Sequence, residues 1–396
     1  MSAIVRELHL RGPLSRSELV AWTGLTRSAI RSLVGDLATG DFVVEDVAVR
    51  LGTPGRPSPQ VRLVAENTVV LAFEIAVDSL AVAVVGLGGH VHWQERVDRS
   101  RAHSTVDDIV ADLTDLADRA RQARPFGEVP IGVGVAVAGL VRQPDGLVAV
   151  GPNLGWIDAP LGQPLAAALG LPVPIAVANE ADLGALAEIR RGAARGAANV
   201  LYVHGEVGVG GGIIVDGRPL TGGAGFAGEI GHMSVNPDGR PCRCGSTGCW
   251  ETEVGEVALL ERADYPPDGG RMAVSGLLAD ALDGRPEAIR AFTATGRWLG
   301  IGLASLVNVL NPNIVVLGGL FSRAFPFLEA EMLAAFEVRA LSASRATMEI
   351  VASSLGIDAP LIGAAELAFE PLLVDPVAWL GPRAANVVPD PLLIST

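Results

Sequence analysis

The segment 228–251 constrains this chain most, because it holds every cysteine of the protein and reads GEIGHMSVNPDGRPCRCGSTGCWE. Cys242, Cys244 and Cys249 follow His232 with the spacing His-x9-Cys-x-Cys-x4-Cys. Three thiolates and one imidazole form a complete tetrahedral set for Zn²⁺, and a closed set of this kind is structural. The segment therefore predicts a structural zinc loop, although three clustered thiols also suit redox chemistry or stand together by chance.

Glycines and acids around the cysteines refine this prediction. Gly239, Gly245 and Gly248 allow the tight turns with which a short loop surrounds one ion. Two carboxylates, Glu229 and Glu251, bracket the loop. Their position next to the metal ligands indicates a second role for this segment.

Composition bounds the class of protein. A chain of 396 residues with 49% hydrophobic and 19% charged residues is long enough for two or three well-packed domains. Its net charge of −14 excludes general affinity for polyanions, yet residues 1–65 carry eight Arg against six acids, and no lysine occurs anywhere. The start, MSAIVRELHL, lacks the apolar core of a signal peptide, and no apolar run is long enough to span a bilayer. We therefore expect a cytoplasmic protein that does not contact membranes.

The first 65 residues predict a winged helix-turn-helix module. Residues 4–10 place apolar side chains at helical spacing. Ser15 with Glu18 forms a capping box that begins a short helix ending at Thr23, and Thr26 caps the next helix. The inner side of that second helix consists of Ile30, Leu33, Val34 and Leu37. Two short helices joined by a tight turn are typical of this DNA-binding unit.

The polar side of the module supplies candidate DNA contacts. The start of the second helix is where a recognition helix meets bases and phosphates. Segments 42–44 and 47–49 predict the strands of a wing, and the following loop suits a minor groove. The candidate DNA-binding residues are Arg16, Arg27, Ser28, Arg31 and Arg56. A small helical cap with solvated arginines is the alternative, and so few basic residues favour a dimer that reads two half-sites.

Beyond residue 65 the pattern changes to apolar strands and amphipathic helices. A strand–turn–strand pattern with a helix occurs near residue 70 and again near residue 200, which predicts an α/β fold of two similar lobes with a cleft between them. We expect the first lobe at 66–185 and the second at 186–375, with the zinc loop and a dimerisation surface in the second. The Pro-rich residues 376–396 are expected to form a flexible tail.

At this point the chain resembles the ROK family of repressors, open reading frames and sugar kinases, along essentially its whole length. The zinc loop is the most specific match, supported by GPNLGW at 151–156, ANEADLGALAE at 178–188 and VGVGGGIIVDG at 207–217. The resemblance implies an actin-like (ribonuclease H-like) ATPase and sugar-kinase fold. The N-terminal module resembles that of the repressor branch, of the xylose-repressor type.

Both phosphate-binding turns of the family's kinases are altered here. The first family turn reads Asp-x-Gly-Gly-Thr, and its matching residues are Glu74, Ala76, Val77 and Asp78. The second, Gly-Thr-Gly-x-Gly, corresponds to residues 205–210, where Glu206 replaces the threonine. Glu180 stands where family kinases carry the catalytic aspartate. Because carboxylates lie where a triphosphate would bind, no kinase activity and no catalytic residue is expected.

The sugar side of the cleft is retained. By resemblance, the sugar-binding residues are Asn153, Asn179, Glu180, Glu229, His232 and Glu251. His232 would serve twice, with one ring nitrogen on zinc and the other toward the sugar. Asn179 is also predicted to cap the helix that follows it. For any one of these residues, a helix cap or a solvated acid is the simpler interpretation.

The sequence thus predicts a sugar-responsive transcriptional regulator, a repressor of carbohydrate metabolism or uptake genes. Its expected partners are operator DNA, a monosaccharide or sugar derivative, and further copies of itself in a homodimer or homotetramer. Sugar binding would change lobe closure and the spacing of the DNA-binding modules. The alternatives are a ROK sugar kinase with an accessory DNA-binding domain, and a regulator that answers to a protein such as a sugar-transport phosphocarrier.

Overall fold

The structure, a computed structural model, describes residues 1–46, 59–66, 68–101, 104–123, 130–142 and 145–380. Its N-terminal region contains three helices and a three-stranded sheet of order β1-β3-β2. The elements are α1 (Ser2–Arg11), β1 (Leu14–Ser15), α2 (Arg16–Thr23), α3 (Arg27–Thr39), β2 (Val43–Asp46) and β3 (Gln60–Leu63). The predicted capping box of Ser15 and Glu18 is present, and the Thr26 side chain accepts from the N–H of Ala29.

The predicted wing region contains a strand that the sequence did not predict. Strand β2 pairs antiparallel with β3, so Val43 lies opposite Leu63. Sequence analysis missed β3, which also pairs with β1. The predicted strand 47–49 and Arg56 lie outside the described residues.

The first lobe is built on a five-stranded sheet of order β11-β7-β4-β5-β6. Its long apolar strands β4 and β5 form the predicted hairpin, buried along their whole length. Asn179 ends the last strand and caps the helix α6, as predicted, by accepting from two backbone N–H groups. The elements are β4 (Val69–Ile75), β5 (Ser79–Gly86), β6 (His90–Asp98), α4 (Val106–Ala123), β7 (Val133–Val137), β8 (Leu140–Arg142), β9 (Leu147–Gly151), β10 (Trp156–Pro160), α5 (Gly162–Leu169), β11 (Ile175–Asn179) and α6 (Glu180–Arg190).

The second lobe repeats this topology with the order β14-β13-β12-β15-β16. In both lobes a central strand pairs antiparallel with the next strand and parallel with a later one, as β4 does with β5 and β7 and β12 does with β13 and β15. The elements are β12 (Val200–Gly205), β13 (Val209–Val215), β14 (Arg218–Pro219), α7 (Glu251–Val254), α8 (Glu256–Arg262), α9 (Gly270–Leu282), α10 (Pro286–Leu310), β15 (Ile314–Gly319), α11 (Leu320–Arg339), α12 (Ser342–Arg345), β16 (Glu349–Ala352) and α13 (Ala359–Val374). The predicted duplication is therefore present.

The last helix differs from the predicted lobe boundary. Although its sequence follows the second lobe, α13 packs on α6 and on β4 and β7 of the first lobe. A Cβ atom on Gly134 of β7 would lie 1.9 Å from the carbonyl oxygen of Ala364, so glycine permits this close approach. One hydrophobic core joins α13, the inner face of the first lobe and the N-terminal helices.

The region after α13 begins with a 3-10 helix, Pro376–Trp379. Trp379 and Leu380 pack against that shared core. The first five residues of the predicted tail are thus ordered, and the remaining residues 381–396 lie outside the described residues. Within the described part of the chain, no helix has the length and apolarity needed to cross a membrane.

Candidate functional site

The His/Cys segment folds into a compact loop whose four predicted ligands converge. The ligand atoms of His232, Cys242, Cys244 and Cys249 all lie within 4.8 Å of one another. The Sγ atoms of Cys244 and Cys249 are 3.6 Å apart, and Cys242 Sγ lies 3.7 Å from His232 Nδ1. Because Zn–S bonds are about 2.3 Å long, two thiolates on a tetrahedral ion lie about 3.8 Å apart. The four side chains therefore fit one tetrahedral metal ion.

Local structure explains why the loop folds without a long secondary element. Gly248 has a φ of +69°, and a Cβ atom there would lie 1.6 Å from the carbonyl oxygen of Asn236. The neighbouring Trp250 is fully buried, and its Nε1–H donates to the carbonyl of Trp298 on α10 at 2.9 Å. The tryptophan thereby fixes the loop to the second-lobe core.

The two bracketing carboxylates lie beside the histidine. His232 Nδ1 is 3.5 Å from Glu251 Oε1, while its Nε2 is 3.7 Å from Glu229 Oε2. Nδ1 therefore lies beside Cys242 and Glu251, and Nε2 lies beside Glu229. Burial raises the pKa of Glu229, the nearby His232 opposes this effect, and Glu251 adds to it.

The two asparagines of the predicted sugar set already have partners. Asn153 Oδ1 accepts from the guanidinium of Arg243, in the metal loop, at 2.7 Å. Asn179 Nδ2 donates to the carbonyl of Gly139 at 2.9 Å, and its Oδ1 caps α6. Asn179 thus has one free amide hydrogen, whereas Asn153 connects the first lobe to the metal loop.

Ion pairs fill the side of the cleft where family kinases hold phosphates. Asp78 Oδ2 accepts from Arg101 Nη2 at 2.9 Å and from the backbone N–H of Arg271 at 3.3 Å. Arg101 also pairs with Glu256 Oε1 at 2.7 Å. Asp78 and Arg101 belong to the first lobe, while Glu256 and Arg271 belong to the second. These contacts therefore hold the two lobes together across the cleft.

Little space remains around these ion pairs. The cavity lined by Asp78, Glu206, Glu256 and Arg271 has a volume of about 30 Å³, close to the share of one water molecule in the liquid. Small-molecule pockets usually enclose about 300 to 1,000 Å³. A nucleotide therefore fits here only if the ion pairs break and the lobes separate.

The candidate DNA-binding residues divide into two groups. Arg27, Ser28 and Arg31 are exposed in the first turns of α3. Arg16 instead donates from Nε to Glu45 at 2.5 Å, with a second bond between the same side chains. Part of the Arg16 guanidinium is therefore already paired with Glu45.

Several residues of the cleft were missed by sequence analysis. Arg101 and Arg271 carry no motif, and the partners of Arg101 lie far away in the sequence. The acids in both phosphate turns could have indicated that basic partners lie nearby, because buried carboxylates require partners. Asp182 was also not identified from the sequence. Burial, with a contribution from Glu229, raises its pKa to about 7.

Comparison with known proteins gives consistent matches. The sequence profile of the ROK family matches residues 70–370. The xylose repressor of Bacillus subtilis is 28% identical over 371 residues, covering 93% of this chain and 94% of that protein. The crystal structure of a ROK family transcriptional regulator, a homologue of the E. coli Mlc protein, matches with a TM-score of 0.76 and 26% identity, covering 94% and 97% of the two chains. A ROK family glucokinase from Streptomyces griseus, in complex with glucose and AMPPNP, matches with a TM-score of 0.67 and 29% identity, covering 76% and 99%.

Proposed function

The chain belongs to the ROK family, and on that premise we propose that it is a sugar-responsive DNA-binding transcriptional regulator, a repressor of carbohydrate genes without kinase activity. The family resemblance and the α/β fold predicted from the sequence are confirmed. The repressor and the solved regulator match more than nine tenths of the chain. The glucokinase covers a smaller share of it, and the ROK profile begins only after the N-terminal module.

One observation carries the distinction from a kinase. The phosphate side of the cleft holds the interlobe ion pairs of Asp78, Arg101, Glu256 and Arg271, while the side with Glu229, His232 and Glu251 keeps acids suited to sugar hydroxyls. Each sugar hydroxyl both donates and accepts, so fixed carboxylates and amides suit it. A cleft of this kind supports binding of a sugar without transfer of a phosphoryl group.

Helix α6 supports a route from the cleft to the DNA-binding module. It begins at Glu180, in the predicted sugar set, and ends at Arg190. The next residue, Arg191, donates to the carbonyl oxygen of His9 in α1 at 2.6 Å and to Glu366 of α13 at 2.7 Å. A sugar that binds more tightly to one position of α6 would therefore shift the position of α1.

The metal loop has a structural role in the proposed sensor. Zinc would be held by His232, Cys242, Cys244 and Cys249, and when bound it supplies a structural crosslink. The loop then presents Glu229 and Glu251 toward the cleft and places Arg243 against Asn153. We further propose that α3 is the recognition helix and that the protein acts as a homodimer or homotetramer on paired half-sites.

An assay of phosphoryl transfer distinguishes a regulator from a sugar kinase. Mixed with ATP, Mg²⁺ and a panel of hexoses, the protein is expected to form no sugar phosphate, because the ion pairs occupy the phosphate side. A coupled assay for ADP release measures this, with a known glucokinase as positive control. Turnover at ordinary kinase rates, about 1 s⁻¹ or more, would show that the chain is a kinase with an accessory DNA-binding domain.

DNA binding tests the assignment of α3. Arg31→Ala is expected to weaken binding to a duplex selected by the wild-type protein at least about fivefold, because an arginine at base edges contributes about 1 to 3 kcal/mol. Arg290→Ala is the matched control, since Arg290 is exposed on α10 and pairs only with the nearby Glu287 in the described structure. Gel-shift titrations with and without a monosaccharide panel measure both affinities and the sugar response. Equal affinities of the two variants would remove α3 from the DNA surface, and a flat sugar response with intact DNA binding would favour a protein effector.

A further inference from the structure

A second cluster of possible metal ligands lies deep in the cleft, apart from the cysteine loop. Glu180 stands at the first turn of α6, whereas His204 and Glu206 come from the end of β12. One ligand atom from each lies within 4.8 Å of the other two. Donor atoms bound to one divalent ion at about 2.1 to 2.4 Å lie at most about 4.2 to 4.8 Å apart. The cluster is therefore close to the dimensions of a coordination sphere.

Each of the three side chains has a buried polar atom without a hydrogen-bond partner. Glu180 Oε2, His204 Nε2 and Glu206 Oε2 are buried and have no hydrogen-bond partner in the described structure. The histidine is only 2% exposed. A buried polar atom without a partner costs about 1 to 3 kcal/mol, and two neighbouring carboxylates add mutual repulsion. One group that satisfies all three atoms at once would remove these penalties.

The tautomer of the histidine suits a metal ligand. His204 Nδ1 lies 3.1 Å from the hydroxyl oxygen of the buried Tyr202. If Nδ1–H donates to that oxygen, Nε2 presents its lone pair to Glu180 and Glu206. A neutral imidazole with a free lone pair on Nε2 is the form that binds a metal ion.

We propose that Glu180, His204 and Glu206 bind one divalent transition-metal cation, such as Mn²⁺ or Zn²⁺, that connects the two lobes at the base of the cleft. Two carboxylates and one imidazole balance the charge of a divalent ion, and the nitrogen ligand favours a transition metal over Mg²⁺ or Ca²⁺. The site is separate from the thiolate loop, which takes softer metals. Because Glu180 starts α6, the ion would stabilise one position of that helix.

Titration with Mn²⁺ tests the proposal. Protein whose cysteine loop already carries zinc is titrated with MnCl₂, and bound Mn²⁺ is measured by electron paramagnetic resonance. We expect one Mn²⁺ per chain and a rise in the thermal unfolding midpoint. Glu206→Gln and Glu180→Gln should each weaken Mn²⁺ binding at least tenfold and abolish that rise. Tyr202→Phe should weaken binding about tenfold, as expected for a partner of a ligand histidine.

The controls separate this site from the other functions. Asp283→Asn removes an exposed carboxyl just after α9 that is not in the cluster, and it should leave Mn²⁺ affinity unchanged. Cys244→Ser should also keep Mn²⁺ binding, so failure of the zinc loop or of sugar and DNA binding does not affect the result. If the wild-type protein binds no Mn²⁺ and no Zn²⁺ beyond the ion in the cysteine loop, or if Glu206→Gln binds Mn²⁺ with equal affinity, the proposal is overturned and a proton shared between the carboxyls takes its place.

Discussion

Replacing Glu366 by glutamine is expected to destabilise the protein by about 3 to 5 kcal/mol, because one charge would be removed from a buried ionic network. Glu366 is 1% exposed and accepts from Arg191 Nε at 2.7 Å, from Arg190 Nη1 at 3.3 Å and from His9 Nε2 at 2.9 Å. Glutamine would leave the largely buried guanidinium of Arg191 without its anion, whereas Arg190 would keep its ion pair with Glu370. The midpoint of urea unfolding, followed by tryptophan fluorescence, measures the effect.

The difference in stability between the wild type and Glu366→Gln should depend on pH. Burial alone would raise the pKa of Glu366, but His9, Arg191 and Arg190 together outweigh it and lower the pKa below its ordinary value of 4.5. The stabilisation is therefore complete above the ordinary carboxylate pKa and is lost as the pH falls toward the lower folded-state value. The gap between wild type and Glu366→Gln should narrow on acidification.

A surface ion pair provides the control for this variant. Glu287→Gln breaks the exposed pair with Arg290 and should leave the midpoint of urea unfolding close to that of the wild type, because solvent screens exposed ion pairs. Because His9 of α1 joins the Glu366 network, the Glu366 variant should also loosen the N-terminal helices and increase their cleavage by protease. Equal unfolding midpoints for the two variants would contradict the importance assigned to this network.

Replacing Cys244 by serine is expected to release one zinc ion per chain, because a hydroxyl is a much weaker zinc ligand than a thiolate. Metal binding contributes to folding free energy, so the loop should lose its order and the sugar response should fall with it. Metal analysis of purified protein gives the zinc content, and thermal unfolding gives the stability. The decrease of one ion is the readout whether or not the second cluster also binds zinc.

Thr247→Ser is the matched control for the cysteine variant. Thr247 lies in the same loop between Cys244 and Cys249 and is exposed, and it is not among the converging ligand residues. Its zinc content should equal that of the wild type. Full zinc content in Cys244→Ser would refute the assignment of Cys244 as a zinc ligand.

Local features of the fold were predictable because short-range chemistry determines them. The capping box at Ser15, the N-cap at Asn179 and the β4–β5 hairpin are present where the sequence predicts them. The partner of β2 was missed, since strand pairing depends on segments distant in sequence. The lobe assignment of α13 was wrong for the same reason. The helix packs on the first lobe, where Gly134 permits its close approach, and this contact is not visible in the sequence of the helix.

The candidate site shows the same division between sequence and structure. Spacing alone determined the His/Cys ligand set, since four metal ligands within one short loop need no distant partner, and residue identity alone indicated that the phosphate turns had acquired carboxylates. Only the tertiary structure decided which groups lie beside the buried carboxylates. Asp78 pairs with Arg101, which also pairs with Glu256 of the second lobe, and Glu366 of α13 pairs with Arg191. Charge in a buried site is compensated by whichever group the fold brings near, and that neighbour lies many residues away in the chain. The convergence of four possible metal ligands was therefore predictable from the sequence, whereas the ionic contacts that close the cleft and attach α1 were determined only by the fold.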